Sequence, residues 1–195
     1  AKPHDLRTGG AYLTTKHGIR ASLREVTTLS KACRLLVVHF APPCSSFSRA
    51  RDRGDRTRLR SPRFPQGYVT SGPKADVIQA GNRAAKHTAR LIRRVVRLGG
   101  VAIVEHPAKS YMWDVWEQFE PRQPAFHDLV LHQCRFGTPW QKATRIRCYG
   151  ATLPELDRQC RRAGQNFTCG RAVADGHTVL EFGGHPSHEA AAYPA

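Results

Sequence analysis

Several features that would assign the chain to a membrane or to the exterior of the cell are missing from the sequence. No apolar run approaches the ~20 residues that a membrane-spanning helix needs. The opening residues, 1–5, contain no apolar stretch typical of a secretory signal peptide. The six cysteines show no compact spacing typical of a disulfide framework. We therefore expect an intracellular protein with reduced thiols and no membrane partner.

Acidic residues are also scarce. The 195 residues include 31 Lys and Arg but only 15 Asp and Glu, which gives a formal net charge of +16 at pH 7. Residues 1–75 hold 15 of the basic residues and 4 of the acidic ones. Most of the excess is Arg, whose planar guanidinium matches phosphate oxygens. A polyanion, most simply nucleic acid, is the expected partner, and an acidic protein is the alternative.

Alternating strand and helix patterns predict an α/β fold. Short apolar runs at residues 35–40 and 101–104 predict buried strands. Helical periodicity at residues 20–33 and 76–98 predicts two helices, the second of which ends at a glycine pair. A strand, a helix and a second strand in this order favour a parallel sheet.

The later part of the chain has a different pattern. Residues 129–136 and 144–149 predict two strands joined as a β-hairpin across Gly-Thr-Pro. Residues 151–188 are rich in Gly, Cys and His and show no clear period. They predict a small irregular C-terminal extension.

Two residues that could take part in a chemical reaction follow the two predicted buried strands. Cys44 comes after the first strand and Glu105 after the second, so both should lie at the sheet edge where open α/β sheets bind ligands. The neighbouring Arg49, Arg51 and Arg53 should favour the nucleophilic thiolate. A nucleophile beside a carboxyl group is a usable catalytic pair. The alternative is a small buried thiol and a surface cap.

The surroundings of these two residues resemble the DNA cytosine-5 methyltransferase family. Pro42-Pro43-Cys44, with Phe47 and Ser48, is similar to the Pro-Pro-Cys motif that carries the nucleophile of that family. The Glu-His-Pro segment that begins at Glu105 is similar to its Glu-Asn-Val or Glu-Asn-Pro motif.

Two later segments extend the resemblance in the order of the family. Residues 137–145 are similar to its Gly-x-Pro-Gln-x-Arg-x-Arg segment, with Gln141 and Arg145 at the expected spacing, and residues 189–194 resemble a late Glu-Ala-Ala…Pro motif. The sequence departs from the family where Ala143 replaces an Arg and where Trp140 is inserted. In the Glu-His-Pro segment, a His also stands where the family has Asn.

The resemblance implies a fold and a reaction. The fold would be a Rossmann-like parallel sheet with helices on both faces. The reaction would transfer a methyl group from S-adenosylmethionine to C5 of a cytosine flipped out of double-stranded DNA, in the nucleus or wherever that DNA lies. Cys44 would add to C6, Glu105 would bind N3 and the exocyclic amine, and Arg145 would hold the nucleotide or the Cys44 segment. The remaining substrate-binding residues would be Pro43, Ser45, Ser48, Arg49, Arg51 and Gln141.

The cofactor motifs of the family are not found. No Phe-x-Gly-x-Gly loop and no late Gly-Asn motif occur in the sequence. We expect residues 1–150 to be a methyltransferase-like catalytic core without the cofactor loop, and residues 151–195 to be a small extension in the place of a target-recognition region. An upstream segment or a second chain would complete the cofactor site, as in the methyltransferase-like domains of mobile-element or viral polyproteins that the chain resembles. The alternative is a basic nucleic-acid-binding domain that kept the fold and has no enzymatic activity.

Two further groups of residues are candidates for binding. Seven arginines lie within residues 49–63, here called the Arg loop, and predict a mobile segment that contacts phosphates; the alternative is a disordered basic linker. The arginines of the helix at 76–98 are expected to form a solvated surface. Cys160, Cys169 and His177 could hold a zinc ion, and the alternative is free thiols with a surface histidine.

Overall fold

The structure, a computed structural model, describes residues 13–53, 57–119 and 124–177. Three α-helices lie in this part of the chain: α1 (Lys16–Ala32), α2 (Gly72–Arg97) and α3 (Tyr111–Phe119). Six strands lie there too: β1 (Val37–Phe40), β2 (Val101–Pro107), β3 (Phe126–His132), β4 (Ala143–Tyr149), β5 (Arg162–Ala163) and β6 (Asn166–Phe167). The motif at residues 189–194 lies outside the described residues.

Four of these strands form a mixed sheet in the order β1-β2-β4-β3. Strands β1 and β2 are parallel, with Val37 opposite Val101, and α2 connects them. Strand β4 is antiparallel to both of its neighbours, β2 and β3. The α/β class and the strand-helix-strand unit are confirmed, whereas the predicted parallel sheet is a mixed one, in which β1 and β2 are the parallel pair. The ten residues between β3 and β4 contain only a short 3-10 helix, which is too little for the crossover that a parallel pair needs.

Local sequence explains where the helices begin and end. Thr15 caps α1 because its hydroxyl accepts a hydrogen bond from the Gly18 amide at 3.0 Å. Helix α2 starts four residues earlier than predicted, with Pro73 in its first turn. It ends before Gly99, whose φ of +73° favours glycine. Arg94 joins the two helices by donating to the Thr27 hydroxyl at 3.0 and 3.2 Å, so this arginine does not belong to a purely solvated surface.

The main hydrophobic core lies on one face of the sheet. Ala102 and Val104 of β2 are fully buried on this face, and all three helices contribute apolar side chains to the same core. Trp116 of α3 is 1% exposed there. The predicted layer of helices on the other face is not found among the described residues. On that face Glu155, in a short turn after β4, lies near Cys148.

The predicted hairpin is confirmed as the β3–β4 pair. Its register runs from Phe126 opposite Tyr149 to His132 opposite Ala143. The chain after β4 returns to this pair, because the His132 amide donates to the Arg158 carbonyl at 3.0 Å. The small β5–β6 hairpin follows. None of the helices in the described ranges is long and apolar enough to cross a membrane.

Candidate catalytic and metal-binding sites

The segment that carries Cys44 is a tight turn fixed to the core. It runs through residues 41–48 and is called the Cys44 loop below. The Phe47 amide donates to the Cys44 carbonyl at 3.0 Å, and the Phe47 carbonyl accepts from the Tyr111 amide at 3.1 Å. Phe47 is completely buried, whereas Cys44 is half-buried at the end of β1. The thiol is therefore held in a defined place and is still accessible.

Arg60 fixes the Cys44 loop by binding Ser46 and packing on the Phe47 ring. Its guanidinium is 1% exposed and lies 3.9 Å over the centre of the Phe47 ring. It donates five hydrogen bonds, to the Ser46 carbonyl and hydroxyl, the Pro65 carbonyl, the Ile78 carbonyl and the Asn82 side-chain oxygen. Burial lowers the pKa of Arg60 to about 10. This arginine was predicted as part of a phosphate-binding loop, and that prediction is wrong because its donors are used inside the protein.

A glycine of α2 makes room for the same loop. A Cβ atom at Gly81 would lie 2.3 Å from the Ser46 hydroxyl and 3.1 Å from the Phe47 ring. The helix therefore approaches the loop as closely as glycine allows. Helix α2 and the Cys44 loop form one packed unit.

Cys44, Glu105 and Lys142 come together at the carboxyl ends of β1 and β2. Burial raises the pKa of the Cys44 thiol, the Lys142 ammonium lowers it and the Glu105 carboxyl raises it. Glu105 is buried in β2, and it also interacts with His39 of β1. The structure thus brings together the two residues predicted as a catalytic pair and adds Lys142. The expectation that flanking arginines favour the thiolate is wrong, since burial dominates and the cation that opposes it is Lys142.

The flanking arginines are directed elsewhere. Arg51 donates to the Ser45 carbonyl at 2.6 Å and so folds the chain back on itself. Arg49 lies 4.6 Å over the Tyr111 ring and 3.6 Å from the Asp114 carboxylate. The side chain of Arg53 and all of Arg56 lie outside the described residues.

The other predicted substrate-binding residues of the Cys44 loop lie around the thiol. Pro43 and Ser45 are exposed on either side of Cys44. The Ser48 hydroxyl accepts from the Ala50 amide at 3.2 Å and so supports the 3-10 helix Arg49–Arg53. Their roles in substrate binding stay predictions.

His106 replaces the Asn of the family motif and is completely buried. Its ring meets the rings of Phe47 and Trp113 edge-on, at centroid distances of 5.9 and 6.1 Å. Neither ring nitrogen has a hydrogen-bond partner among the described residues. Burial and the nearby Lys142 lower its pKa to about 3, against which the Pro43 carbonyl has a smaller effect. The imidazole is therefore neutral at physiological pH and serves as a packing group.

Arg145 lies on the other face of the sheet from Glu105. In the β2–β4 ladder Glu105 is opposite Ile146, whereas Arg145 is opposite His106, and opposed residues project to the same face. The Arg145 guanidinium lies 5.0 Å over the Trp113 ring and 3.9 Å from the Asp128 carboxylate. The structure does not bring Arg145 to the catalytic pair, and its catalytic role stays a prediction.

Gln141 holds the C-terminal extension. Its side-chain amide donates to the Cys160 carbonyl at 3.0 Å and to the His132 Nδ1 atom at 3.1 Å. Cys160 also donates its backbone amide to His132 Nδ1 at 3.0 Å. Gln141 is thus used in a contact between chain segments.

Four thiol and imidazole side chains converge near that contact, and they could hold a metal ion. They are called the Cys-His cluster: Cys134, Cys160, Cys169 and His177. Their ligand atoms all lie within 4.8 Å of one another. The set includes all three residues predicted as ligands and adds Cys134. In the metal-free state burial and the hydrogen-bonded Cys160 thiol raise the pKa of Cys134.

S-adenosylmethionine, which the family resemblance implies, does not fit the described residues. Strand β1 ends the sheet on the side of Cys44, and no described strand lies beyond it. Val37 and His39 are exposed along this edge. A pocket for a ligand of that size would lack one wall here, and small-molecule sites bury most of their ligand.

A separate groove lies between α1 and α2. Its volume is about 840 Å³, and four cations line it: Arg24, Lys31, Arg94 and Arg97. The groove lies at the C-terminal ends of α1 and α2, which lead into β1 and β2. Cys44 lies at the opposite end of these two strands. The groove is therefore not an extension of the catalytic site.

Comparison with known proteins adds no relative. A scan against models of protein families, a search of curated proteins and a search of solved structures each found no match.

Sequence reasoning missed two residues of these sites, Cys134 and Lys142, and assigned Arg60 a different role. Cys134 stands in a Gln-Cys-Arg segment 26 residues before Cys160, and only the return of the chain to β3 brings the two together. Lys142 follows Gln141 inside the segment that resembles the family, where the first cation was expected one position later, at Ala143. The sequence showed a thiol at Cys134 and a cation at Lys142, but neither residue stood at a spacing that predicted its site.

Proposed function

We propose that the chain is a DNA cytosine-5 methyltransferase-like domain with a Rossmann-like fold, in which Cys44 forms a covalent adduct with a flipped cytosine. The observation that carries the proposal is the meeting of Cys44 and Glu105 at the carboxyl ends of the parallel strands β1 and β2. Open α/β sheets bind their ligands at this place. The parallel pair joined by α2 supports the Rossmann-like classification.

The residues of the site suit addition of a thiol to a pyrimidine. The Cys44 proton first passes to solvent water, and the Lys142 ammonium stabilises the thiolate that remains. The sulfur then bonds to C6, and the electron pair of the C5–C6 double bond moves toward C5. A carboxyl group at Glu105 can donate to N3 and accept from the exocyclic amine, which stabilises the charge that develops on the ring. Expulsion of the thiolate reverses the addition.

Water exclusion supports the same reaction. Glu105 is 8% exposed and directly precedes the fully buried His106, so the carboxyl group operates in a low-dielectric place. A single hydrogen bond or charge is worth more there than in water. His106, which stays neutral, adds no competing charge.

The methyl donor and the DNA place different demands on the described residues. S-adenosylmethionine would need a segment beyond β1, from upstream or from a second chain, because the described residues do not form its pocket. DNA would be held by exposed cations of the Arg loop, of which Arg49 and Arg63 are the clearest. Zinc is the metal that suits the Cys-His cluster, where its role would be structural.

A duplex that contains 5-azacytosine tests the adduct without a methyl donor. Nitrogen at position 5 makes C6 more electrophilic and holds the electron pair after attack, so the adduct accumulates. We expect a DNA-protein species of increased mass, with the linkage at Cys44 in the digested protein. Cys33→Ser, which removes an exposed thiol remote from the site, should keep the adduct, and Cys44→Ser should lose it.

The alternative, a domain that binds nucleic acid without catalysis, gives a different result. It predicts salt-dependent binding to the same duplex with no adduct at Cys44. That outcome would end the enzymatic proposal and leave the net charge of +16 as the basis for function.

A further inference from the structure

Three separate chain segments bring the Cys-His cluster together. Cys134 lies in the 3-10 helix Gln133–Phe136 after β3, and Cys160 precedes β5. Cys169 and His177 follow β6. These segments are otherwise short or irregular, and the β5 and β6 strands have two residues each. Small units of this kind need a cross-link because they cannot bury a core of their own.

We propose that the Cys-His cluster is a closed structural zinc site that fastens the C-terminal extension to the β3–β4 end of the sheet and thereby positions Lys142 beside Cys44. The part that concerns Lys142 rests on the proposed function, whereas the zinc site itself does not.

The distances fit tetrahedral zinc. Bonds of about 2.3 Å to sulfur and about 2.0–2.1 Å to nitrogen place tetrahedral ligand atoms roughly 3.5–3.8 Å apart. His177 Nε2 lies 3.4 Å from the Cys169 sulfur and 3.7 Å from the Cys160 sulfur. With Cys134 the set has three thiols and one imidazole, a common set for structural zinc, and it leaves no coordination position open for a substrate.

The surroundings of the ligands also suit zinc. Cys134 and Cys160 are 5% and 4% exposed, whereas Cys169 and His177 are half-buried, so the site is shielded from water on the side of the sheet. The Phe167 ring lies 4.4 Å from the His177 ring and fixes its orientation. The cluster contains no carboxylate, which disfavours calcium and magnesium.

Hydrogen bonds connect the cluster to the catalytic site. The Cys160 backbone is bound on both sides, by the Gln141 side chain at its carbonyl and by His132 at its amide. The Gln133 amide, next to Cys134, donates to the Lys142 carbonyl at 3.1 Å. Lys142 therefore lies between two hydrogen bonds that connect to the cluster: Gln141 binds the Cys160 carbonyl, and Gln133, next to Cys134, binds the Lys142 carbonyl. An ordered cluster thus fixes the backbone of Lys142.

Metal content tests the zinc site on the full chain. We expect one zinc per chain after purification, and cobalt(II) in its place should give the intense visible bands of a tetrahedral site with thiolate ligands. Cys134→Ser should weaken zinc binding at least tenfold and reduce the sulfur-to-cobalt charge-transfer absorption by about a third. Cys148→Ser, a buried thiol outside the cluster, is the matched control.

Wild-type protein provides a readout that does not depend on a variant that folds. Zinc should protect Cys134, Cys160 and Cys169 from alkylation together, and a chelator should expose all three. A chain without stoichiometric zinc that also fails to bind added zinc or cobalt tightly would overturn the site.

Gln141→Ala tests the connection to Lys142 separately, because it leaves all four ligands in place. We expect full zinc content and a slower alkylation of Cys44, in the direction that Lys142→Gln also gives. Full zinc with an unchanged Cys44 rate would overturn the positioning role and leave the zinc site standing. Since alkylation needs neither DNA nor a methyl donor, this result is independent of the adduct experiment.

Discussion

The Cys44 thiol lies between two groups of opposite charge. Burial raises its pKa, Lys142 lowers it, and Glu105 raises it again. We predict that Lys142→Gln slows alkylation of Cys44 at neutral pH by about two- to tenfold, because less thiolate is present, and that Glu105→Gln speeds it by a similar factor. The rates are measured with iodoacetamide by mass spectrometry of the Cys44 peptide across pH.

The control for this pair is Lys109→Gln, an exposed lysine two residues after β2. It should leave the Cys44 rate unchanged. In the free wild-type protein the exposed Cys33 should react faster than Cys44. If Lys142→Gln and Glu105→Gln changed the Cys44 alkylation rate equally and in the same direction, the opposed effects of the two charges on the thiol would be contradicted.

His106 makes the fold sensitive to acid. Its pKa falls from an ordinary 6.5 to about 3 in the folded state, because the ring is buried. Between these values the unfolded chain binds the proton and the folded chain does not, so the free energy of unfolding decreases as pH falls through this window. His106→Gln should flatten the dependence measured by urea unfolding from pH 7 to pH 4. The exposed His17, changed to Gln, should leave the slope as it is.

Arg60 has a structural role although it lies within the Arg loop. Its removal leaves the carbonyls of Ser46, Pro65 and Ile78 without these donors. Arg60→Met should therefore lower the free energy of unfolding by roughly 2–4 kcal/mol. Arg63→Met, at an exposed neighbour that lies 5.5 Å over the Phe64 ring, should change it by less than about 0.5 kcal/mol. Urea denaturation of the two variants decides between a structural and a solvated Arg60.

At the scale of elements, the Arg loop and the outer face of α2 offer two different sets of arginines to a nucleic acid. Arg49, directly after the Cys44 loop, and Arg63, later in the Arg loop, are exposed, whereas Arg83 and Arg90 are exposed on α2. We predict that the Arg49→Gln/Arg63→Gln variant flattens the slope of log affinity against log salt by about 0.9 for each duplex phosphate that the variant no longer neutralises. The matched Arg83→Gln/Arg90→Gln variant should keep the wild-type slope. Equal flattening in both would mean that the charge acts without a defined surface.

The elements that could be predicted are those with a strong local pattern. The strand at 101–104, the helix at 76–98 and the β3–β4 hairpin follow from apolar period and turn residues. Helix α3 was missed because its nine residues are too few for a helical period to stand out in a stretch rich in Trp and Tyr. The antiparallel entry of β4 between β2 and β3 was missed because strand order is a tertiary property.

The distinction between local sequence pattern and tertiary packing also applies to the candidate sites of the molecule. Cys44 and Glu105 could be predicted because Cys44 follows β1, Glu105 lies near the end of β2, and the two strands are neighbours. Lys142 and Cys134 reach their sites only through the β3–β4 connection and the return of the chain at Arg158. No spacing in the sequence records that return. The Cys-His cluster and the position of Lys142 beside Cys44 therefore both depend on how the last third of the chain packs on the sheet.

The exposed edge of β1 leads to a prediction about the cofactor. Val37 is 51% exposed, and β1 has no strand neighbour on its outer side among the described residues. A site there lacks one wall, so the 195-residue chain should bind S-adenosylmethionine weakly or not at all, although Cys44 and Glu105 are already in place. Calorimetry with the isolated chain measures this.

A segment or second chain that pairs with β1 should restore binding, and methyl transfer should appear with it, since the pair on the sheet then has the wall that it needs. Val37→Lys places a charge on that edge and should block the restoration, whereas the matched Val77→Lys on the exposed side of α2 should not. Micromolar binding by the isolated chain would mean that other residues form a complete cofactor site. The edge of β1 would then have no part in it, and the proposal of a catalytic core that needs a further segment would fall.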